Sequence, residues 1–199
     1  MVVTDAALLK GRDPVDACRR AVAGGATMIQ VRVKDAPAGE IVRLARALVG
    51  ALPVPVVVND RVDIALAAGA AGAHLGQDDP PLDALRPHVP PGFLLGLSVG
   101  SPDEAARARS WPADYWSLGP CFTTGTKADA GTPLGAAGFS ALARLAPAGV
   151  PVIAIGGITP DTAPALVRAG AAGLAVIAAV LGAPDAARAA TQLRALYPH

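Results

Sequence analysis

The chain has 199 residues, a net charge of +1, 52% hydrophobic residues and only 17% charged ones. This excludes a disordered polar chain and a nucleic-acid binder built on a basic stripe, and it leaves room for one sizeable core but not for two full domains. Aromatics make up 4%, so the core must be mostly Val, Leu, Ile and Ala, and the 22 Gly and 19 Pro alternate with apolar runs as turn punctuation.

The N-terminus reaches Asp5 at once, which does not fit a secretory signal, and the longest apolar run, near 171–181, is too short and too rich in Ala and Gly to span a membrane. Cys18 and Cys121 are too few and too far apart for a disulfide framework or a zinc site, so a reducing cytoplasm is expected.

In chain order, short β-branched runs predict strands at 2–4, 28–32, 55–58, 73–75, 93–98, 115–118, 152–155 and 174–177. Amphipathic stretches between them predict helices at roughly 13–23, 38–50, 61–69, 81–87, 102–110, 138–146, 160–169 and 184–196. Eight alternating units predict an α/β fold, a single (β/α)8 TIM barrel with short loops and one domain over 1–199; an open doubly wound sheet is the alternative. Ala-Gly-rich segments at 23–26, 68–72 and 169–173 repeat as helix ends before strands and are structural punctuation.

In a barrel the functional face lies at the C-terminal ends of the strands. Polar residues gather there: Thr4 and Asp5, then Gln30, Arg32 and Lys34, then Asn59 and Asp60, then Gly76 to Asp79, Ser98, the Gly- and Thr-rich run 119–127, and Gly156-Gly157. Gln30, Arg32 and Lys34 are spaced i, i+2, i+4, which on a strand puts them on one face. Arg and Lys together suit a phosphate or diphosphate; an internal salt bridge to Asp60 or a neighbour is the structural alternative.

Asp60 and Asp79 follow neighbouring strands and suit one magnesium ion shared with phosphate oxygens. The alternative roles are helix N-caps, for Asp60 before the helix at 61–69 and for Asp78 or Asp79 before the helix at 81–87. The segment 119–135 predicts a long loop in which Thr123, Thr124, Thr126 and Lys127 close over an anionic substrate. Gly156-Gly157 and the strand-8 segment 173–178 suit a backbone phosphate cradle, or only a tight turn. His74 reads as a packed strand histidine, His88 and His199 as surface residues, and Cys121 lacks a histidine partner that would make it a nucleophile.

Taken together, Val-Thr-Asp at 3–5, Gln-Val-Arg-Val-Lys-Asp at 30–35, Asn-Asp-Arg-Val-Asp at 59–63 and His-Leu-Gly-Gln-Asp-Asp at 74–79 resemble the thiamine-phosphate synthase family. Gly-Leu-Ser-Val at 96–99, the Asp-Tyr, Gly-Pro and Thr-Thr-Gly-Thr-Lys elements within 114–127, Ala-Ile-Gly-Gly-Ile at 154–158 and Gly-Leu-Ala-Val-Ile at 173–177 extend the resemblance over essentially the whole chain. The resemblance implies a (β/α)8 transferase that condenses a hydroxymethylpyrimidine diphosphate with a thiazole phosphate, giving thiamine phosphate and diphosphate. It implies that Gln30, Arg32 and Lys34, with Asn59, Ser98 and Lys127, hold the pyrimidine diphosphate, with Arg32, Lys34, Ser98 and Lys127 carrying catalysis. It further implies that Asp60 and Asp79 ligate Mg2+, and that Thr124, Thr126, Gly157, Ile177 and Ala178 hold the thiazole phosphate.

Val33, Gly100 and Ala178 depart from the pattern common in that family, where an acidic residue, a histidine or threonine, and a serine are frequent. Two other functions compete: the thiazole tautomerase of the same superfamily, and a non-catalytic barrel that binds a phosphorylated ligand. The expected partners are the two small-molecule substrates, with no nucleic acid or membrane; homo-oligomer formation stays open.

Overall fold

The structure, a computed structural model, describes residues 1–9, 11–125 and 131–197. Eight strands alternate with helices: β1 (Val2–Val3), β2 (Ile29–Val31), β3 (Val56–Asn59), β4 (Gly72–Leu75), β5 (Leu94–Val99), β6 (Tyr115–Leu118), β7 (Val152–Ile155) and β8 (Gly173–Ala175). They form one sheet in chain order, and the pairs whose register is defined are parallel. The fold is the (β/α)8 barrel expected from eight alternating units.

The helices are α1 (Ala6–Leu9), α2 (Pro14–Ala23), α3 (Ala38–Ala51), α4 (Val62–Ala68), α5 (Leu82–Leu85), α6 (Pro102–Ala108), α7 (Gly135–Ala143), α8 (Ala163–Arg168), α9 (Ala178–Leu181) and α10 (Ala186–Arg194). Their starts follow capping chemistry. Asp13 accepts from Val15 N at 3.1 Å and Asp16 N at 3.3 Å, with Pro14 at the first helical position of α2. Ser101 caps α6: its hydroxyl accepts from Glu104 N at 3.2 Å, while Glu104 Oε2 accepts from Gly100 N, one residue before the cap, at 2.6 Å.

By internal contacts the chain divides into two compact units, Met1–His74 with Val176–His199, and Leu75–Ala175. In the first, the core is the buried Val-and-Ile run of β1 to β3, covered by α3 and α4, with α2 packed on α3 and α10 on α2. Near-continuous apolar strands are what a parallel sheet buried on both faces requires. Val2 bridges Val176, just past β8, and Val3 N donates to Val176 O at 2.9 Å. In the second unit, β5, β6, β7 and β8 pair in sequence around buried Leu95, Leu97, Trp116 and Leu118, with Phe139 of α7 and Leu166 of α8 beneath the helices' inner faces.

Several sequence expectations shift, among them the strand expected at 174–177, which ends at Ala175; three others have a plain local reason. The helix expected at 138–146 begins at Gly135, whose N–H donates to Cys121 O at 2.8 Å, and ends at Ala143, before Pro147. The helix expected at 160–169 begins only at Ala163, because Thr159 and Thr162 form a reciprocal side-chain turn before it. The one-turn helices α1 and α9 are additional; four residues carry too little periodicity to be read from sequence.

Candidate active site

In the first unit the site residues sit on and just beyond β2 and β3. Gln30 lies within β2, is 3% exposed, and pairs in register with Val3 and Val57. Its Nε2 donates weakly to Met1 Sδ at 3.6 Å. Asn59 ends β3, and its register partner on β4 is His74, so those two side chains share a face of the sheet. His74 is 4% exposed, as expected for a packed strand histidine.

The expectation that Gln30, Arg32 and Lys34 share one strand face is corrected. β2 ends at Val31, so only Gln30 belongs to the strand. Arg32 lies one residue beyond, its backbone held by the Thr4 hydroxyl, and its Nη1 is 3.8 Å from Asp5 Oδ2. Its ion-pair partner is therefore Asp5 rather than Asp60. Lys34 is exposed in the turn that follows, next to Asp35 with φ of 55°.

Both alternative helix-cap readings are overturned. The N-cap of α4 is Arg61, with no side-chain cap bond, and the N-cap of α5 is Pro81, likewise without one. Asp60 adopts φ of 62°, a left-handed conformation uncommon outside glycine, and its N–H donates to His74 O at 2.8 Å. Strained backbone of this kind is concentrated at functional sites. In the second unit, Asp79 Oδ2 accepts from Gly76 N at 2.7 Å, which folds the loop after β4 into a closed turn.

Gln77 in that turn donates from Nε2 to Ser98 O at 2.7 Å and so ties the Asp79 loop to the end of β5. The sequence shows Gln77 among the polar residues at a strand end, but nothing in it signals this tie. Ser98 on β5 is in register with Ser117 on β6, whose buried hydroxyl has no partner among the described residues. Gly100 also has a local reason: a Cβ there would lie 3.0 Å from Gly119 O, so a larger residue would press on the loop after β6.

That loop is better anchored than its composition suggests. Cys121 N donates to Ile155 O at 2.8 Å and Phe122 N to Gly156 O at 3.0 Å, extending the β6–β7 ladder past both strands. Leu134 N and Gly135 N return to Pro120 O at 2.9 Å and Cys121 O at 2.8 Å, so the two ends of the loop are stapled together. Gly157, with φ of 62°, sits against this segment: a Cβ would lie 2.5 Å from Thr123 O. Gly156-Gly157 is thus more than a tight turn, because it permits close approach of the loop that carries half-buried Thr124. Thr126 and Lys127 lie outside the described residues.

Cys121 is buried, and burial pushes its thiol up to about 11, so it supplies no thiolate nucleophile at neutral pH. After β8, Ile177 is half-buried at the N-cap position of α9, and Ala178 is its exposed first residue. Among the described residues no three His, Cys, Asp or Glu side chains cluster as a metal cage. Magnesium does not need one: one or two carboxylates, waters and substrate phosphate oxygens complete its octahedron.

Polar side chains at the carboxyl ends of parallel strands, on a (β/α)8 scaffold, define an enzyme acting on small molecules. The thiamine monophosphate synthase family model matches residues 1–180. The chain belongs to that family, and it is an enzyme of the transferase class. A thiamine-phosphate synthase of Moorella thermoacetica is 46% identical over 196 residues, covering 97% of this chain and 92% of its own. One from Methanoculleus marisnigri is 46% identical over 199 residues, with 97% and 92% covered. The solved thiamine phosphate pyrophosphorylase of Pyrococcus furiosus superposes with a TM-score of 0.86 at 36% identity, covering 98% of this chain and 93% of that one. No helix among the described residues is long and apolar enough to cross a membrane.

Proposed function

We infer that the chain is a thiamine-phosphate synthase, joining 4-amino-2-methyl-5-hydroxymethylpyrimidine diphosphate to the phosphorylated thiazole to give thiamine phosphate and diphosphate. The observation that carries this is 46% identity to a thiamine-phosphate synthase over 97% of the chain. The chemistry suits the residues. The carbon–oxygen bond of the pyrimidine substrate breaks with its electron pair leaving on diphosphate, and the electron-rich aminopyrimidine stabilises the benzyl-like cation. The thiazole nitrogen then supplies the pair for the new carbon–nitrogen bond. Nucleophile and leaving group need no proton from the protein.

The protein's task is then charge stabilisation and positioning. In this reading Gln30, Arg32, Lys34, Asn59, Ser98 and Lys127 hold the pyrimidine diphosphate, with Arg32, Lys34, Ser98 and Lys127 carrying catalysis, and Asp60 and Asp79 hold Mg2+. Held there, Mg2+ would screen the charge that develops on the departing diphosphate. The family match supports these roles. Thr124, Thr126, Gly157, Ile177 and Ala178 receive the thiazole phosphate. In this reading 1–199 is one barrel domain working in a reducing, cytoplasmic setting.

Purified protein with both substrates and Mg2+ is expected to form thiamine phosphate and diphosphate in equal amounts, as read by chromatography. No thiamine phosphate at saturating substrates would overturn the reading, and isomerisation of a thiazole carboxylate phosphate alone would make the chain a tautomerase.

Lys127→Ala is expected to slow turnover and weaken binding of the pyrimidine diphosphate more than of the thiazole phosphate. Amide exchange across 122–135 should slow when both ligands are present, as ligand contacts protect the segment. Equal exchange in both states, with an unimpaired Lys127→Ala, would reduce this loop to a connection.

A further inference from the structure

Arg32 is placed by the two residues that follow β1. The ladder between the first two strands runs Val2 N to Met28 O at 2.9 Å and Thr4 N to Gln30 O at 2.9 Å, two residues per rung. Arg32 is next in that progression. Its N–H and its C=O both turn to one side chain instead: Thr4 Oγ1 accepts from Arg32 N at 2.8 Å and donates to Arg32 O at 2.9 Å.

A hydroxyl has one proton to give and two lone pairs, so this pinch uses its donor and one acceptor. Thr4 is 2% exposed, and its branched Cβ restricts the hydroxyl to few rotamers. The guanidinium end is steered by Asp5. The Asp5 Oδ1 accepts from Ala7 N at 3.0 Å and Leu8 N at 3.2 Å, capping α1, while Oδ2 faces Arg32 Nη1 at 3.8 Å. The Arg32 and Asp5 side chains are only 17% and 14% exposed, so little room is left for the fork to swing.

We propose that Thr4 is a positioning residue for Arg32: its hydroxyl replaces the last rung of the β1–β2 ladder and fixes the backbone from which the guanidinium reaches the diphosphate, while Asp5 sets the resting direction of the fork. The proposal rests on the reading of Arg32 as a diphosphate ligand. A guanidinium binds phosphate oxygens through a planar fork whose geometry must match, so a shift of its backbone costs contacts that a flexible lysine would keep.

The test is equilibrium binding of the pyrimidine diphosphate and, separately, of the thiazole phosphate, with circular dichroism to follow folding. Thr4→Val keeps the shape and removes the hydroxyl; it is expected to weaken pyrimidine diphosphate binding by about tenfold, the scale of a lost buried hydrogen bond, and to leave thiazole phosphate binding within about twofold. Thr4→Ser is expected to restore most of the affinity. In an Arg32→Lys background Thr4→Val should add little, because it acts through the residue already changed.

Should Thr4→Val not fold, Thr4→Ala against Thr4→Ser carries the same comparison. Equal loss for both ligands, unchanged affinity in folded Thr4→Val, or unfolding of every variant lacking the hydroxyl would each overturn the proposal, showing that Thr4 serves only the fold. Arg32→Lys with unchanged affinity would remove the Arg32 reading and the proposal with it. Arg32→Lys impaired with Thr4→Val unimpaired would remove the proposal alone.

Discussion

Asp60→Ala and Asp79→Ala are each expected to fold and to lose at least about a hundredfold in turnover, the scale at which a single preorganised charge contact contributes to a transition state. On the proposed metal site, removing either carboxylate would leave the magnesium ion with one protein ligand fewer and the departing diphosphate less screened. Asp60 needs a second variant, because its φ of 62° is unfavourable for alanine on backbone grounds alone. Asn tolerates that conformation, so Asp60→Asn removes the charge and keeps the backbone; it should be as impaired as Asp60→Ala, with a melting temperature closer to that of the parent. At Asp79 the turn itself is at stake, since Oδ2 holds Gly76 N at 2.7 Å. Asp79→Asn keeps an oxygen for that bond and loses the metal-binding charge. The measurement is turnover against magnesium concentration: high magnesium should recover part of the loss. Near-normal turnover of both Asn variants at limiting magnesium would end the metal reading.

Much of the scaffold is legible in the sequence because a buried parallel strand announces itself as a short apolar β-branched run between turn signals. β6 and β7 fall where the runs at 115–118 and 152–155 place them. The identity and order of the polar residues at the strand ends are equally legible. What stays hidden is where a side chain takes over from the backbone. Alternation predicts that Lys34 shares a face with Gln30, but alternation lasts only as long as the strand. The strand stops at Val31 because the Thr4 hydroxyl takes the next N–H and C=O, and no local pattern in 28–34 signals a partner twenty-eight residues away. The cap readings of Asp60 and Asp79 fail for a related reason. Aspartate before a helix is a good general signal, yet here the helices start one or more residues later, behind Arg61 and Pro81. The loop after β6 is expected from composition as a long connection; what composition cannot encode is that its two ends are joined by backbone hydrogen bonds.

Gly157→Ala is expected to be far more damaging than its single methyl group suggests. The methyl would lie 2.5 Å from Thr123 O and 2.7 Å from Phe122 C and O, all backbone atoms that cannot rotate aside. Residues 120–122 are themselves fixed by the bonds of Cys121 and Phe122 to the end of β7, so relief of the clash must break one of those rungs or displace the loop. The left-handed φ of 62° adds about 1–2 kcal/mol for any residue with a Cβ. Gly69→Ala isolates that backbone cost: its φ is 67°, and a Cβ there meets nothing within 4 Å. The control should lose about 1 kcal/mol of stability and keep its activity. Gly157→Ala should lose several times more stability. Where it still folds, its KM for the thiazole phosphate should rise at least about tenfold, because Thr124 and the backbone at 157 no longer share their native spacing. Thermal melts and substrate-resolved kinetics on the two variants decide it. If Gly157→Ala matches Gly69→Ala in both, the contact between the double glycine and the loop after β6 is a matter of packing alone, and the thiazole phosphate must be held elsewhere.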